Sequence, residues 1–413
     1  MRRFALWLCA GFPSLLAAQG FGIYEHNTCT MGRSGVAAAS PCPDGSAAFF
    51  NPAGLVQISG NRLSFGATLI RPSGGFTDDL LGRTTDMEDV NLLVPNVFVA
   101  RRLSPKLGVG LGVFAPYGLG TEWPTDGFEG RFLGYKTSLR TIYVQPTVGY
   151  QLTDKFWIFD GLQVGIGVAY VRSTVELHQR LDLSSQTVPL QPFTFAALGI
   201  PRGTDFGDAA LDASGNGFAV NFGAILKVND RLSVGGHWLT RKTITFDGTA
   251  VFNQINTNIR LPVGNPLGLP AGTLLDTLPT IEGLFAPGGP LESGPATTKI
   301  TLPPQGSIGV AYKVRDDWTI MADYQLVVWG WFNSILLDFE NATTPDITLY
   351  EGYTDSHGFR FGTEYRYSPK VTLRGGYLYH TAAAPDETVT PLLPEGARNE
   401  FTAGLGLNLT DKL

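Results

Sequence analysis

Residues 21–55 read FGIYEHNTCTMGRSGVAAASPCPDGSAAFFNPAGL, and this stretch decides how the fold is interpreted. It is rich in Gly, Ala and Ser, and its apolar residues follow neither the two-residue period of a strand nor the 3.6-residue period of an amphipathic helix. The chain after it alternates between strand-like segments and turns. A small-residue segment ahead of a large β-structure predicts a plug, here called the hatch, over residues 19–60, and a barrel over residues 61–413 that closes around it.

The composition favours one large architecture at a membrane. Charged residues make up 16% of the 413 residues, whereas soluble domains average about 25%. No shift in composition marks a linker between domains. The net charge of −6 and the absence of a Lys/Arg cluster argue against nucleic-acid binding.

Residues 1–18 have the pattern of a secretory signal peptide. Arg2 and Arg3 precede an apolar core over residues 4–16, and Ala17 and Ala18 form a small-residue cleavage site. The alternative is an uncleaved membrane anchor, but the apolar run is shorter than the ~20 residues that a spanning helix needs. We therefore predict export and cleavage ahead of Gln19.

The exported chain retains two cysteines, Cys29 and Cys42, thirteen residues apart in the hatch. In an exported protein this arrangement predicts one local disulfide, and closing a loop of that length stabilises the fold by about 3 kcal/mol in the chain-entropy model. The alternative is a metal site formed by His26 and the two cysteines, which lacks an obvious fourth ligand. We predict the disulfide and no metal or cofactor.

Short turns and long connections alternate along residues 61–413. The short turns lie within residues 103–107, 152–156, 228–232, 314–318, 367–371 and 409–413, and the long connections span 71–89, 115–137, 181–214, 254–297, 341–354 and 381–397. Outer-membrane barrels show this pattern, with short turns at one end and long loops at the other. A soluble sandwich has no reason to segregate its loops by length. The spacing predicts about twelve strands of an all-β, transmembrane antiparallel β-barrel. Two of them, over 156–180 and 317–340, exceed the ~9–11 residues that cross a bilayer.

Two stretches carry a resemblance to a known family. Residues 45–55 (GSAAFFNPAGL) resemble the hatch segment of the long-chain fatty-acid transporters of the FadL type, and residues 130–132, 139–141 and 145–146 resemble the entry to that family's fourth strand. The similarity covers nearly the whole mature chain. It implies a fourteen-stranded barrel with an N-terminal hatch inside its lumen, in the outer membrane of a Gram-negative bacterium. Since the pattern contains about twelve strands, the resemblance implies two more beyond Leu413, and we expect a shortened chain.

The resemblance also implies a function. Members of the family let hydrophobic compounds, such as long-chain fatty acids or hydrocarbons, diffuse passively across the outer membrane. The expected partners are these small molecules, the lipid of the outer membrane and the barrel assembly machinery, and the expected state is a monomer. No enzymatic activity and no cofactor are implied.

The candidate site residues fall into two groups. The hatch and gating residues are Phe49, Phe50, Asn51, Pro52, Ala53, Gly54 and Leu55. The candidate ligand-binding residues are Phe193, Phe195, Leu198, Leu267, Leu269, Phe285, Arg360 and Arg374. Apolar loops of this kind often form a binding groove, and an inward arginine could pair with a ligand carboxylate.

Each group has a structural alternative. The hatch motif could be only a capped turn, since Pro52 fixes φ and Gly54 permits a positive φ. The apolar loops could pack on each other over the barrel mouth. The two arginines could pair with Glu364 or with the hatch backbone.

Three other functions fit the sequence less well. A general porin for polar solutes is disfavoured by the hatch. A surface adhesin or receptor anchored by a barrel is permitted by long loops, but their Pro/Leu character fits a groove better. An outer-membrane hydrolase is disfavoured because no Gly-x-Ser-x-Gly motif occurs and none of the five histidines lies in a recognisable catalytic pattern.

Overall fold

The computed structural model describes residues 20–78, 82–182, 184, 186–188 and 191–410. The signal peptide predicted over residues 1–18, the first hatch residue and the turn at 411–413 lie outside the described residues, so those assignments remain predictions. Across the described ranges, no helix combines the length and the apolar character needed to cross a membrane.

The regular secondary structure consists mainly of strands. They are β1 (Asn61–Ile70), β2 (Gly75–Thr77), β3 (Thr84–Asp86), β4 (Leu92–Ser104), β5 (Leu107–Phe114), β6 (Gly118–Glu122), β7 (Lys136–Thr153), β8 (Gly161–Leu181), β9 (Gly207–Lys227), β10 (Leu232–Leu239), β11 (Lys242–Gln254), β12 (Gly294–Leu302), β13 (Gln305–Arg315), β14 (Trp318–Val327), β15 (Ser334–Phe339), β16 (Ile347–Tyr350), β17 (Ser356–Ser368), β18 (Val371–His380) and β19 (Arg398–Leu407). The α-helices are short: α1 (Thr28–Met31), α2 (Ala47–Phe50) and α3 (Pro279–Phe285). Short 3-10 helices occupy Pro52–Gln57, Glu129–Phe132, Phe195–Leu198, Leu275–Thr277, Trp329–Trp331 and Asp386–Thr388.

The strands form the wall of an antiparallel β-barrel. Within the described residues the wall has twelve passes: β1, β4, β5/β6, β7, β8, β9, β10/β11, β12/β13, β14/β15, β16/β17, β18 and β19. This number agrees with the alternation of turns and connections in the sequence. The small hairpin β2–β3 lies in the connection between β1 and β4.

The expectation of one uninterrupted strand over residues 317–340 was wrong. β14 ends at Val327, and a 3-10 turn over Trp329–Trp331 precedes β15. The turn carries the Trp329 side chain into the lumen, where it is fully buried and lies edge-on to Phe21 with ring centroids 4.7 Å apart. Burial of this large ring against the hatch therefore accounts for the interruption.

The outer surface is apolar and the inner one is polar or packed, with the period of two that a strand imposes. On β9, Phe218 is 65% exposed and Asn221 is fully buried. On the first and last strands, Phe65 and Phe401 are 81% and 83% exposed. An outward apolar face of this kind is what a barrel presents to lipid.

The hatch fills the inside of the barrel and contacts the wall around most of its circumference. A Cβ added to Gly165 on β8 would lie 2.3 Å from the backbone carbon of Pro52. A Cβ on Gly376 of β18 would lie 2.7 Å from the backbone carbon of Arg33. Glycine therefore lets the hatch backbone approach the wall closely at two well-separated passes, the fifth and the eleventh.

The first and last strands are joined through the hatch. No ladder links β1 to β19 among the described residues. Instead, Thr68 of β1 donates a hydrogen bond of 2.7 Å to the Glu25 carbonyl, and Arg398 of β19 forms an ion pair of 2.5 Å with the Glu25 carboxylate. Glu25 thus bridges the two strands.

Candidate functional site

The predicted gating residues at 49–55 lie inside the barrel and pack against its wall. Phe49 and Phe50 end helix α2. Asn51 is the N-cap of the 3-10 helix that starts with Pro52. All seven residues are buried. The Asn51 Oδ1 accepts a hydrogen bond from the Ala53 N–H at 3.1 Å, which caps the turn.

The Asn51 amide also ties the hatch to the wall. Its Nδ2 donates to the Ala38 carbonyl within the hatch at 2.6 Å and to the Ala224 and Gly236 carbonyls of β9 and β10 at 3.1 and 3.2 Å. One fully buried side chain therefore joins two parts of the hatch to two strands. Capping is thus only part of its role.

Wall side chains hold the hatch backbone at three further points. Gln145 of β7 donates to the Ala48 carbonyl at 2.5 Å, and Asn221 of β9 donates to the Phe49 carbonyl at 2.7 Å. On the other side of the lumen, Asp323 of β14 accepts hydrogen bonds of 2.9 Å from the N–H groups of Ala37 and Ala38. In these contacts the wall contributes side chains and not its backbone. The hatch can therefore be released from them without breaking the backbone ladders between the strands of the wall.

The two predicted ligand-binding arginines point into the barrel. Arg360 of β17 donates to the Ser34 carbonyl at 3.0 Å and to Gln325, and its guanidinium lies 4.3 Å from the centre of the Tyr24 ring. Arg374 of β18 donates to Glu364 at 2.7 Å. Both guanidinium groups thus have partners in the hatch or the wall, and their role in ligand binding stays a prediction.

The two cysteines of the hatch are joined. Cys29 and Cys42 form a disulfide with their Cα atoms 6.4 Å apart. Arg33, inside the loop that the disulfide closes, donates to the Ser40 carbonyl at 3.1 Å. The part of the hatch before Asp44 is therefore cross-linked independently of the wall.

His26 lies in an apolar part of the hatch. It is fully buried, its ring lies 5.1 Å from that of Phe49, and neither ring nitrogen has a hydrogen-bond partner within the described residues. Burial lowers the pKa of His26 to about 4. The imidazole is therefore neutral at pH 7.

Aromatic side chains from the hatch and the wall form a packed cluster in the lumen that the sequence patterns do not indicate. Its rings, hereafter the lumen chamber, are Phe21, Tyr24, Phe49, Phe50, Phe114, Tyr117, Tyr143, Trp329, Phe332 and Tyr353. Trp329 and Tyr353 lie with their centroids 5.6 Å apart, and their polar atoms have no hydrogen-bond partner among the described residues. The inward phase of the strands could have indicated Phe114 and Tyr143, but Trp329 lies in the break between β14 and β15.

The start of the hatch is fastened to the long connection after β18. Glu395 accepts hydrogen bonds from the N–H groups of Gly20, Ala383 and Ala384 at 3.1, 2.9 and 3.0 Å. Burial raises the pKa of Glu395 to about 7, although these three donors oppose the shift. The connection therefore covers the lumen chamber and holds the hatch at one point.

The predicted apolar loop residues form a second cluster, separate from the lumen chamber. Its buried members include Phe195 and Leu198, and Phe193, Leu267 and Phe285 pack against it. These residues come from the connection that follows β8 and the connection that follows β11. The two longest loops therefore pack on each other. Leu269 lies outside the cluster and is 37% exposed.

Comparison with known proteins identifies the family. A family model described as outer membrane protein transport protein (OMPP1/FadL/TodX) matches residues 10–413. The chain belongs to this family.

Curated relatives of the chain include outer-membrane and transport proteins. The chain is 25% identical to the long-chain fatty acid transport protein of Escherichia coli O6:H1, over 94% of this chain and 82% of that protein. It is 27% identical to the 47 kDa outer membrane protein of Pasteurella multocida, over 98% of this chain and 87% of that protein. The alignments therefore cover most of the length of each relative.

Solved structures of family members have the same fold. A FadL homologue of Pseudomonas aeruginosa superposes with a TM-score of 0.75 at 20% identity, with 95% of this chain and 88% of that chain covered. The Pseudomonas putida toluene transporter TodX gives a TM-score of 0.69 at 19% identity, with coverage of 96% and 91%. At these identities the comparison establishes the barrel and its hatch.

Proposed function

We propose that this protein carries hydrophobic compounds, such as long-chain fatty acids or hydrocarbons, passively across the outer membrane of a Gram-negative bacterium. The lumen chamber is the observation that carries the proposal, because hatch and wall both contribute aromatic rings to this packed cluster. Displacing the hatch would both open the lumen and expose these rings. A hydrophobic molecule could then replace part of the hatch contacts.

The hatch would act as the gate. The hatch is held by a few hydrogen bonds from wall side chains and by close packing of its backbone against wall glycines. The hatch can therefore be released while the backbone ladders of the wall stay intact. We assign the hatch to residues 19–60 and the barrel to residues 61–413. The predicted signal peptide over residues 1–18 would direct export, and the barrel assembly machinery would insert a monomer among the outer-membrane lipids.

We infer that the outer loop cluster is the first contact for the compound. Phe193, Phe195, Leu198, Leu267 and Phe285 would present apolar surface when the two loops move apart, and the exposed Leu269 lies beside them. Packing of the loops on each other and binding of ligand are compatible, because a groove between packed loops opens by separating them. Arg360 and Arg374 would be available to a ligand carboxylate only after releasing their present partners.

Deleting residues 49–55 tests the gating role. Uptake of a labelled fatty acid and of a labelled aromatic hydrocarbon by cells should change several-fold, while the heat-modifiable migration of the folded barrel persists. Asn216→Ala, on the outer face of β9, serves as the control. If uptake and folded migration were lost together, or if neither changed, the gating proposal would be wrong.

A general porin is the competing function. It would give a large single-channel conductance for polar solutes in planar bilayers, unaffected by changes in the hatch. A packed hatch that fills the lumen favours the transport of hydrophobic compounds instead, and a conductance of that kind would overturn the proposal.

A further inference from the structure

The first described residues of the hatch are held at a defined place inside the barrel. The Phe21 ring is buried and lies edge-on to Trp329, with ring centroids 4.7 Å apart. The Phe21 carbonyl accepts a hydrogen bond of 2.8 Å from the N–H group of Gly118 in the wall. These contacts fix the position of the Gly20 backbone nitrogen, which comes just ahead of Phe21.

Glu395 contacts that nitrogen through its carboxylate. The Oε1 atom accepts from the Gly20 N–H at 3.1 Å, and the Oε2 atom accepts from the N–H groups of Ala383 and Ala384. Within the described residues, Glu395 makes no ion pair. A carboxylate that is withdrawn from water without a cation is unfavourable, and burial accordingly raises the pKa of Glu395 to about 7. Its negative charge therefore lacks a compensating positive one.

A second carboxylate without a cation lies nearby. Glu351 is 5% exposed, and its Oε2 atom has no hydrogen-bond partner in the part of the chain that the structure describes. The carboxylates of Glu351 and Glu395 both interact electrostatically with Tyr353, whose ring lies 5.6 Å from that of Trp329. Trp329 in turn lies against Gly20, because a Cβ added to this glycine would be 2.6 Å from the Cζ2 atom of the tryptophan. Two acidic groups thus lie around the start of the hatch.

Cleavage of the predicted signal peptide creates a cation at this place. A cut ahead of Gln19 leaves a free α-amino group, whose usual pKa of about 7.7–8.0 keeps it mostly protonated at pH 7. This nitrogen is three backbone bonds from the Gly20 nitrogen, a path of at most ~4.3 Å. Since the Gly20 nitrogen is itself 3.1 Å from Glu395, the new ammonium group is within reach of the carboxylate.

We propose that Glu395 and Glu351 bind the α-ammonium group of the mature N-terminus. The ion pair fastens the start of the hatch and forms only after the signal peptide has been removed. In the precursor the same nitrogen belongs to an uncharged amide, which cannot neutralise the two carboxylates. The proposal rests on the predicted cleavage ahead of Gln19 and does not depend on which compound is carried.

The covalent link favours this cation over a dissolved one. A group that is tethered beside its binding site has an effective concentration in the millimolar range or above. A dissolved metal or ammonium ion would have to compete with it for the same two carboxylates. The occupant is therefore a segment of this chain and not a separate ligand.

The reactivity of the α-amino group tests the proposal. The full-length exported protein is purified as a folded barrel in detergent and acetylated at a series of pH values, and mass spectrometry of the N-terminal peptide gives the rate. Because only the unprotonated amine reacts, the midpoint of the rate profile reports its pKa. We expect the midpoint of the folded protein to lie about one pH unit or more above that of the denatured protein, which makes the amine roughly tenfold less reactive at pH 7.

Glu395→Gln is the decisive variant. It keeps an oxygen that can accept from the Gly20 N–H but removes the charge, so the midpoint should fall towards the denatured value. A merely looser hatch would raise the rate at every pH without moving the midpoint. Glu351→Gln should move the midpoint in the same direction, and it provides the test if Glu395→Gln fails to migrate as a folded barrel.

Glu387→Gln is the matched control, since Glu387 is an exposed glutamate in the same connection. It should leave the midpoint unchanged. Three outcomes would overturn the proposal: equal midpoints in the folded and denatured protein, a midpoint that neither carboxylate variant lowers, and a mature N-terminus that does not begin at Gln19 or is blocked by cyclisation of Gln19 to pyroglutamate. Each of them leaves the transport proposal intact, because uptake tests that separately.

Discussion

Asn51 shows how one hatch residue controls several contacts. Its side chain is fully buried. It donates hydrogen bonds to two strands of the wall and to another part of the hatch, and it accepts one from its own 3-10 turn. Leaving a buried carbonyl without its donor costs about 1–3 kcal/mol. Replacement of this residue should therefore loosen the hatch without unpairing the wall.

We predict that Asn51→Ala increases hydrogen exchange in hatch peptides about tenfold or more, as the loss of 1.4 kcal/mol or more implies. Exchange in the ladders of β8 and β9 should stay as in the unsubstituted protein. Asn216→Ala, which changes an exposed asparagine on the outer face, is the matched control. Equal protection of the hatch in both variants would contradict the role of Asn51.

His26 gives the hatch a dependence on pH. Its pKa in the folded protein is about 4, below the usual value of about 6.5 in an unfolded chain. Between these values the unfolded form binds more protons, so the stability of the hatch falls as the pH decreases from 6.5 to 4. Above pH 6.5 the contribution of His26 is constant.

We predict that the hatch becomes more accessible to exchange and to protease at pH 5 than at pH 7, and that His26→Gln reduces this difference. His178→Gln, at a partly exposed histidine in the wall, should leave the difference unchanged. An equal difference between the two pH values in His26→Gln and in the unsubstituted protein would show that His26 is not an important determinant of this stability.

At the scale of the element, the disulfide divides the hatch into two parts. The loop between Cys29 and Cys42 is cross-linked, while residues 49–55 are held by the wall. Because the cross-link limits the open states of the first part, its loss should ease local opening by up to about 3 kcal/mol. The second part should respond much less.

We predict that alkylation without reductant labels neither cysteine in the exported protein, and that a Cys29→Ser/Cys42→Ser variant exchanges faster between residues 29 and 42. Peptides covering residues 49–55 serve as the internal reference. Alkylated thiols in the unreduced sample would contradict the bridge.

At the scale of the whole molecule, the outward apolar face requires lipid. Ile166 on β8 is 52% exposed and lies within the run of outward apolar residues that ends at Tyr170. An arginine near the middle of the bilayer costs a barrel about 2–4 kcal/mol, and the cost falls to about 0–1 kcal/mol near the interface.

We therefore predict that Ile166→Arg lowers the free energy of unfolding in lipid vesicles by about 2–4 kcal/mol. Asn216→Arg changes a residue on the same outer face but nearer to the long connections. It should lower the free energy of unfolding by about 1 kcal/mol or less. Reversible denaturant titration followed by heat-modifiable migration measures both. Equal costs at the two positions would place Ile166 outside the lipid-facing band.

Local chemistry made much of the fold predictable from the sequence. The two-residue period of Phe218 and its neighbours, together with short turns and long connections, indicated an antiparallel barrel and its twelve passes. The small residues of 21–55 indicated a hatch, and two cysteines thirteen apart indicated a bridge. These features depend on neighbours in the chain, so the sequence alone determined them.

Only the tertiary structure decided which distant groups meet. The contacts of Asn51 with β9 and β10, the salt bridge between Glu25 and Arg398, and the burial of Trp329 against Phe21 join residues far apart in the chain. Closing such contacts depends on how the barrel wraps around the hatch. Since no local pattern encodes that wrapping, the lumen chamber becomes visible only when the strands are assembled.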